Sequence, residues 1–268
     1  MEQKAETTKK IGLALGSGGA RGIAHIGVLQ VLEENGIPIH LVSGCSIGSI
    51  VGAIYATGTD LRMLEKYILS LSARDIMDPA IRAHGGLLQG NKLEEMVRVF
   101  THNQSFGQTR IPFYCTAVDL ESGQLVTFTE GKICRAVRAS MSIPGMFAPT
   151  RIADRWYIDG GALEEIPVDV LHENGADVII GVDLTERRGF PSGSKPGSYK
   201  TVLRAFDIMQ MEITRLRNQK IDVRITPNAA FMGLLSTKGA VECLQEGRRV
   251  AELALPEIKR VIGESAEN

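Results

Sequence analysis

Leu41-Val-Ser-Gly-Cys-Ser-Ile-Gly-Ser-Ile-Val-Gly-Ala-Ile-Tyr-Ala-Thr-Gly58 decides how the rest of the chain is read. It opens as a short apolar run, turns at Gly44-Cys-Ser-Ile-Gly48, and continues as an apolar helix. In a Gly-x-Ser-x-Gly turn the serine sits on a strained strand-to-helix junction. The flanking glycines, here Gly44 and Gly48, let neighbouring backbone approach without a Cβ clash. The Ser46 hydroxyl is then held outward above a sheet edge. The helix behind it points unpaired N–H groups and its dipole at the turn, which favours negative charge there. Such a place suits an acyl-transfer nucleophile. A glycine- and serine-rich turn without chemistry leaves the same five residues, so a second element is needed.

Upstream, Lys10-Ile-Gly-Leu-Ala-Leu15 reads as a buried strand running into the glycine cluster Gly16-Ser-Gly-Gly-Ala-Arg-Gly22. A helix over 23–35 follows, stopped by Gly36 with Pro38 just beyond. Residues 39–43 supply the next strand, which enters the Ser46 turn. Two successive strand-helix units predict a parallel sheet covered on both faces. From Thr59 to about Arg110 the pattern is helical pieces, a layer over or beside that sheet. Residues 111–119 and 124–129, joined through Glu121-Ser-Gly123, predict a hairpin. A short helix over 132–141, a strand over 155–158 leading to Asp159-Gly160-Gly161, a helix from Val168 and a strand over 177–183 continue the alternation. Beyond the Gly-, Pro- and Ser-rich loop 189–198, readable as a surface loop or a lid, come a helix over 199–219, a strand over 221–226 and one or two helices over 238–262. The expected organisation is a flexible arm over 1–9 and a single domain over 10–268.

The glycine cluster has two competing meanings. A dinucleotide fingerprint, G-x-G-x-x-G/A, needs a small third residue. Counted from Gly16 and Gly18 that position is Arg21; counted from Ser17 and Gly19 it is Gly22, but the first glycine is lost. Alternatively, consecutive N–H groups at Gly18 and Gly19 form a nest for the oxyanion of a tetrahedral intermediate.

The glycine cluster, Gly44-Cys-Ser-Ile-Gly48 and Asp159-Gly160-Gly161, in this order, resemble the motifs of the patatin-like phospholipase family. Its bacterial branch near the neuropathy-target-esterase catalytic domain is the most similar. The resemblance spans roughly residues 10 to 185. It implies a three-layer α/β/α fold with a mostly parallel central sheet, and hydrolysis of fatty-acyl esters of lipids, of lysophospholipase or phospholipase type. It further implies a Ser–Asp dyad without histidine. Carried over by motif, Ser46 is the nucleophile, Asp159 the base, and Gly18 and Gly19 the oxyanion donors. Ser17, Arg21, Gly22, Gly44, Gly48, Gly160 and Gly161 support the motifs. Ser17 departs from the pattern, standing where many members carry glycine, which bears on substrate range.

The dyad also makes chemical sense. An aspartate of ordinary pKa near ~3.9 is ionised at neutral pH and can take the serine proton, although it is a weaker base than imidazole. An Asp-Gly turn without catalytic duty is the alternative for Asp159. His25 reads as a helix-packed histidine bonded to backbone. His172 follows Asp159 as a Ser-Asp-His order requires, in a setting that reads as a surface helix end. The rivals are therefore a Ser-Asp-His esterase or thioesterase, and a weakly active regulatory protein on the same fold. Met141, Ile143, Met146 and Phe147 read either as an acyl-channel wall or as a core turn, and Arg21 as a brace for the glycine loop.

A chain of 268 residues with 44% hydrophobic content and a net charge of −1 carries no field that would select nucleic acid or an anionic surface. The four cysteines lack C-x-x-C spacing and read as buried thiols of a reducing compartment. No metal-ligand spacing, cofactor motif, leader or membrane-length apolar run is legible. The expectation is a cytoplasmic enzyme, free of cofactor and metal, with at most peripheral membrane contact. Its partner is a lipid acyl ester and its oligomeric state is open.

Overall fold

The computed structural model describes residues 9–80, 85–184, 197–217, 220–233 and 235–263. In chain order these form β1 (Ile11–Leu15), a 3₁₀ turn (Gly19–Gly22), α1 (Ile23–Glu34), β2 (Leu41–Cys45), α2 (Ile47–Ala56), α3 (Leu61–Ser70), α4 (Ala73–Ile76), β3 (Gly86–Leu88) and α5 (Asn91–Phe100). Then come β4 (Phe113–Asp119), β5 (Leu125–Phe128), α6 (Ile133–Ser140), β6 (Gly145–Phe147), β7 (Thr150–Ile152) and β8 (Arg155–Asp159). The chain continues through α7 (Asp169–Glu173), β9 (Val178–Val182), α8 (Ser198–Arg217), β10 (Val223–Ile225) and α9 (Ala240–Ile262).

Every residue of β1, β2 and β9 is buried, as central parallel strands covered on both faces must be. The pleat sorts their side chains between two cores. Leu13, Leu15, Val42, Ile180 and Val182 join the larger core, shared with α1, α2, α3, α5 and α9. Ala14, Leu41 and Ile179 face the smaller one, under Ile166, Val168 and α7. The result is helix, sheet, helix. α1 is buried from Ile23 to Leu32 because it is enclosed by α9, α3 and α2, which explains why its apolar pattern runs round all sides.

The main sheet runs β10-β9-β1-β2-β4-β8-β7, with β5 also paired to β4. From β10 to β4 all neighbours are parallel, whereas β5, β8 and β7 run antiparallel to their partners. The sheet is thus mostly parallel, with the β4–β5 hairpin where the turn residues put it. Asp119 holds that turn by accepting from the N–H groups of Glu121 and Ser122.

One arrangement positions everything that follows. Cys115 pairs with both Gly44 and Phe128, and Ala117 with both Val126 and Asp159. A strand has only two edges, so β5 holds one edge of β4 while β2 and β8 share the other, end to end. Because β2 runs with β4 and β8 against it, the C-terminal ends of β2 and β8 meet.

The last described segment forms one helix, α9, with Pro256 inside it. The two-stranded β3–β6 pair and the short β7 carry no sequence signal, since three residues are too few for a period. Apart from Lys9, Gly197 and Ser198, the N-terminal arm and the 189–198 loop lie outside the described residues.

Candidate active site

Ser46 is the first residue past β2 and has φ 53°, ψ −123°, a left-handed conformation that costs an L-residue energy. The turn is held in that state by close packing. A Cβ on Gly48 would lie 2.1 Å from the Leu15 carbonyl oxygen, and one on Gly44 would lie 2.4 Å from that of Gly48. Strand, turn and helix therefore touch backbone to backbone, and only glycine permits it. The Ser46 N–H donates to Ser140 Oγ at 2.9 Å, while its carbonyl accepts from Ser49 and Ile50 as α2 begins.

Asp159, the last residue of β8, is brought to Ser46 by the end-to-end meeting of strands. The Ser46 side chain lies near its carboxylate, close enough to pull its pKa down. Oδ1 accepts from the Gly161 N–H at 2.8 Å and from the Cys45 thiol at 3.6 Å. The Asp159 N–H is fixed on the Ser142 carbonyl at 3.0 Å. Burial pushes the carboxyl up from 3.8 to about 6, against the pull of the Ser46, Gly161 and Cys45 donors. A carboxylate of that basicity is better matched to a serine proton near neutral pH than an exposed aspartate.

The glycine loop faces the same turn. Its carbonyls are pinned from behind: His25 Nε2 bonds to the Gly16 oxygen at 2.8 Å, and Arg21 Nε donates to the Gly18 oxygen at 2.8 Å. Gly16 and Ser17 donate their N–H groups to Val182 and Glu165. Gly18 and Gly19 follow with φ 162° and 59°, and their N–H groups find no acceptor among the described residues. Gly22 is needed for contact, since a Cβ there would overlap the Ile47 side chain.

Ser46 forms part of the wall of two cavities. One, of about 100 Å³, is apolar and lies between α1, α2, α3 and α5, lined by Ile23, Ile50, Leu64, Ile68, Met96 and Phe147 among others. Met141 and Ile143 line it too, whereas Met146 packs beside it in the core. The second, of about 610 Å³, is polar and lined by Ser17, Gly18, Arg21, Asp159 and Glu165, with α8 contributing Lys200, Arg204 and Gln210. Gly19 belongs to both. Ser46 thus stands between an apolar and a polar space.

The histidines stand apart from the carboxylate. His25 is fully buried, its ring held on Gly16 and its pKa lowered by burial to about 4. His172 is exposed and bonded to the Lys220 carbonyl at 3.0 Å. Among the described residues no cluster of His, Cys, Asp or Glu could hold a metal ion. Three contributors escaped the sequence reading: Ser140, the α3 and α5 walls of the apolar cavity, and Glu165. For Glu165 a signal existed, two acidic residues in an otherwise apolar stretch behind Asp159-Gly160-Gly161.

Comparison with known proteins identifies the family and the fold. Residues 13–172 match the model of the family described as Patatin-like phospholipase. An NTE family protein of Mycobacterium tuberculosis is 38% identical over 192 residues, 70% of this chain and 53% of that protein. Lysophospholipase NTE1 of Cryptococcus neoformans is 36% identical over 181 residues, 66% of this chain and 11% of that protein. The chain thus spans about half, or much less, of the length of the curated relatives it matches. Among solved structures, VipD from Legionella pneumophila superposes with a TM-score of 0.66 at 14% identity, over 96% of this chain and 69% of that one. The type III effector protein ExoU superposes with a TM-score of 0.54 at 17% identity, over 96% of this chain and 54% of that one. Both share the fold.

Proposed function

Because the chain belongs to the patatin-like phospholipase family, we propose that it is a serine hydrolase that cleaves fatty-acyl esters of lipids. Ser46 is the nucleophile and Asp159 the base. As Ser46 Oγ attacks the acyl carbon, its proton passes to the Asp159 carboxylate. The carbonyl oxygen gains the negative charge and is met by the Gly18 and Gly19 N–H groups. Collapse expels the alcohol oxygen, which takes the proton back from Asp159, and water then releases the acyl group from Ser46 by the same steps.

One observation carries this reading: Ser46 stands beside the buried Asp159 carboxylate, on the boundary between an apolar and a polar cavity. The apolar cavity suits the part of one acyl chain next to the ester, and the polar one suits the part of the lipid beyond the ester. A lysophospholipid is the substrate class that fits, in keeping with the name of the Cryptococcus relative. Membrane contact, on this reading, is peripheral.

Labelling with a fluorophosphonate probe and mapping of the modified residue tests the nucleophile. Turnover of a long-chain acyl ester by Asp159→Asn, His25→Ala and His172→Ala tests the base. The dyad requires near-complete loss for Asp159→Asn and a substantial remainder for both histidine variants. Equal loss in a folded histidine variant means a triad instead.

A further inference from the structure

Glu165 stands six residues beyond Asp159 and is almost wholly buried, yet the reaction just described does not use it. Both of its carboxylate oxygens are occupied, by hydroxyls from two different parts of the chain. Ser17 Oγ donates to Oε1 at 3.4 Å, and Thr214 Oγ1, on α8, donates to Oε2 at 3.1 Å. Its backbone carbonyl also accepts the Ser17 N–H at 2.9 Å. Ser17 is therefore tied to Glu165 twice, immediately before Gly18. With Arg21 holding the Gly18 carbonyl from the other side, the peptide that presents the Gly18 N–H is fixed at both ends.

We propose that Glu165 is a positioning residue of this site: through Ser17 it sets the direction of the Gly18 and Gly19 N–H groups, and through Thr214 it couples that loop to α8. The assignment rests on the hydrolase reading above. It also gives Ser17 a purpose, because a glycine at that position would offer the carboxylate no hydroxyl. α8 supplies part of the wall of the polar cavity, so the residues that meet the lipid beyond its ester and those that meet the oxyanion are joined through one side chain.

The clasp is sensitive to protonation. An ionised carboxylate accepts from both hydroxyls; a protonated one donates from one oxygen, and the hydroxyl facing it must turn round to accept. Around Glu165 stand Asp159 from β8, Asp183 after β9 and Arg21 from the loop, and Lys200, Arg204 and Asp207 of α8 line the same cavity. Burial raises its pKa to about 7; the Thr214 bond and Arg21 work against this, while Asp183 and Asp159 add to it. The carboxyl therefore changes state within the range in which activity is measured.

The experiment compares wild type, Glu165→Gln, Ser17→Ala and the double variant on a soluble long-chain acyl thioester, with circular dichroism and urea unfolding as checks on the fold. Glutamine keeps the shape but accepts only one hydroxyl. Expected is a fall in kcat of about ten- to a hundredfold at pH 8 with KM nearly unchanged, the cost of misplacing a pre-set donor. Wild type should show two acidic inflections, near 6 and near 7, and Glu165→Gln only the lower one. The double variant should be no slower than the worse single one, as residues acting through one contact require. If Glu165→Gln does not fold, Thr214→Val and Ser17→Ala carry the same kcat and pH test. A folded Glu165→Gln with unchanged kcat and both inflections, or strictly additive losses, overturns the assignment. If wild type does not react with a fluorophosphonate at Ser46, the hydrolase reading itself falls; if it reacts and Glu165→Gln matches it in rate and pH profile, only the role of Glu165 falls.

Discussion

Cys45 and Asp159 occupy consecutive rungs on one edge of β4, Cys45 opposite Thr116 and Asp159 opposite Ala117. The Ser46–Asp159 pair is therefore set by strand register as much as by side-chain choice. A slip of one residue in β8 would move Asp159 by about 3.4 Å and turn its side chain to the other face of the sheet.

The strain at Ser46 predicts a split between stability and activity. Ser46→Ala and Ser46→Gly should both abolish ester hydrolysis. The glycine variant should be the more stable of the two by about 1 kcal/mol, because it relieves the left-handed φ at some cost in chain entropy. Urea unfolding of the two proteins measures the difference, and an alanine variant as stable as the glycine one would mean that the turn is unstrained.

Asp159 predicts opposite trends of activity and stability with pH. Activity needs the carboxylate, so its acidic limb should fall near pH 6 and not near the ordinary aspartate value of 3.8. The folded state binds this proton more tightly than the open chain, so the stability it contributes is complete below pH 3.8 and is lost as pH rises through 6. Asp159→Asn should accordingly be inactive, yet more stable than wild type at pH 8 by something on the order of 1–3 kcal/mol. The gap should close by pH 4. Unfolding curves at the two pH values decide it, and an equal gap at both removes burial of the charge as its cause.

Ile68 lines the apolar cavity from α3 and is only partly buried. Ile68→Trp should shorten the cavity at tolerable cost in packing. If about two methylenes lose their place, long-chain substrates should lose roughly fifteenfold in kcat/KM while acetyl esters are little affected, at about 0.8 kcal/mol per buried CH₂. A parallel series of acyl chain lengths on both proteins provides the measurement; an unchanged chain-length profile would mean that the acyl group lies elsewhere.

Gly48→Ala probes the backbone contact behind the serine. With 2.1 Å between its Cβ and the Leu15 oxygen, β1 and α2 must separate. The expected loss is about 3 kcal/mol or more of unfolding free energy, together with most of the activity. Near-wild-type stability in urea would show that the turn can move aside.

The parts legible in the sequence are those where local chemistry and tertiary structure demand the same residues. The β1-to-α1 and β2-to-α2 units have apolar runs stopped by glycines that the packing requires, and Asp159 is marked by the two glycines behind it. What was hidden depends on contacts distant in the chain. Ser140 looks like any helix serine until its hydroxyl meets the Ser46 N–H. Glu165 reads as one of two stray acids until Ser17 and Thr214 close on it. The α3 and α5 walls of the apolar cavity follow from how helices are laid over the sheet, and no periodicity records that. That β8 runs against β4, in line with β2, is likewise a matter of topology.

The end-to-end meeting of β2 and β8 also has a consequence in time. Cys45 and Asp159 are 114 residues apart, and β4, the strand on which both ends rest, lies between them. At about 5–20 residues per second, roughly 5 to 25 seconds of synthesis separate emergence of the serine turn from emergence of its carboxylate. During that interval a growing chain carries Ser46 without Asp159, so under the proposed dyad nothing is in place to take the serine proton. On the proposed dyad, turnover begins only when this long-range contact closes, a slow class of folding event. In a refolding experiment the return of turnover should therefore trail the return of helical signal, and its lag is a clock for the docking of β8.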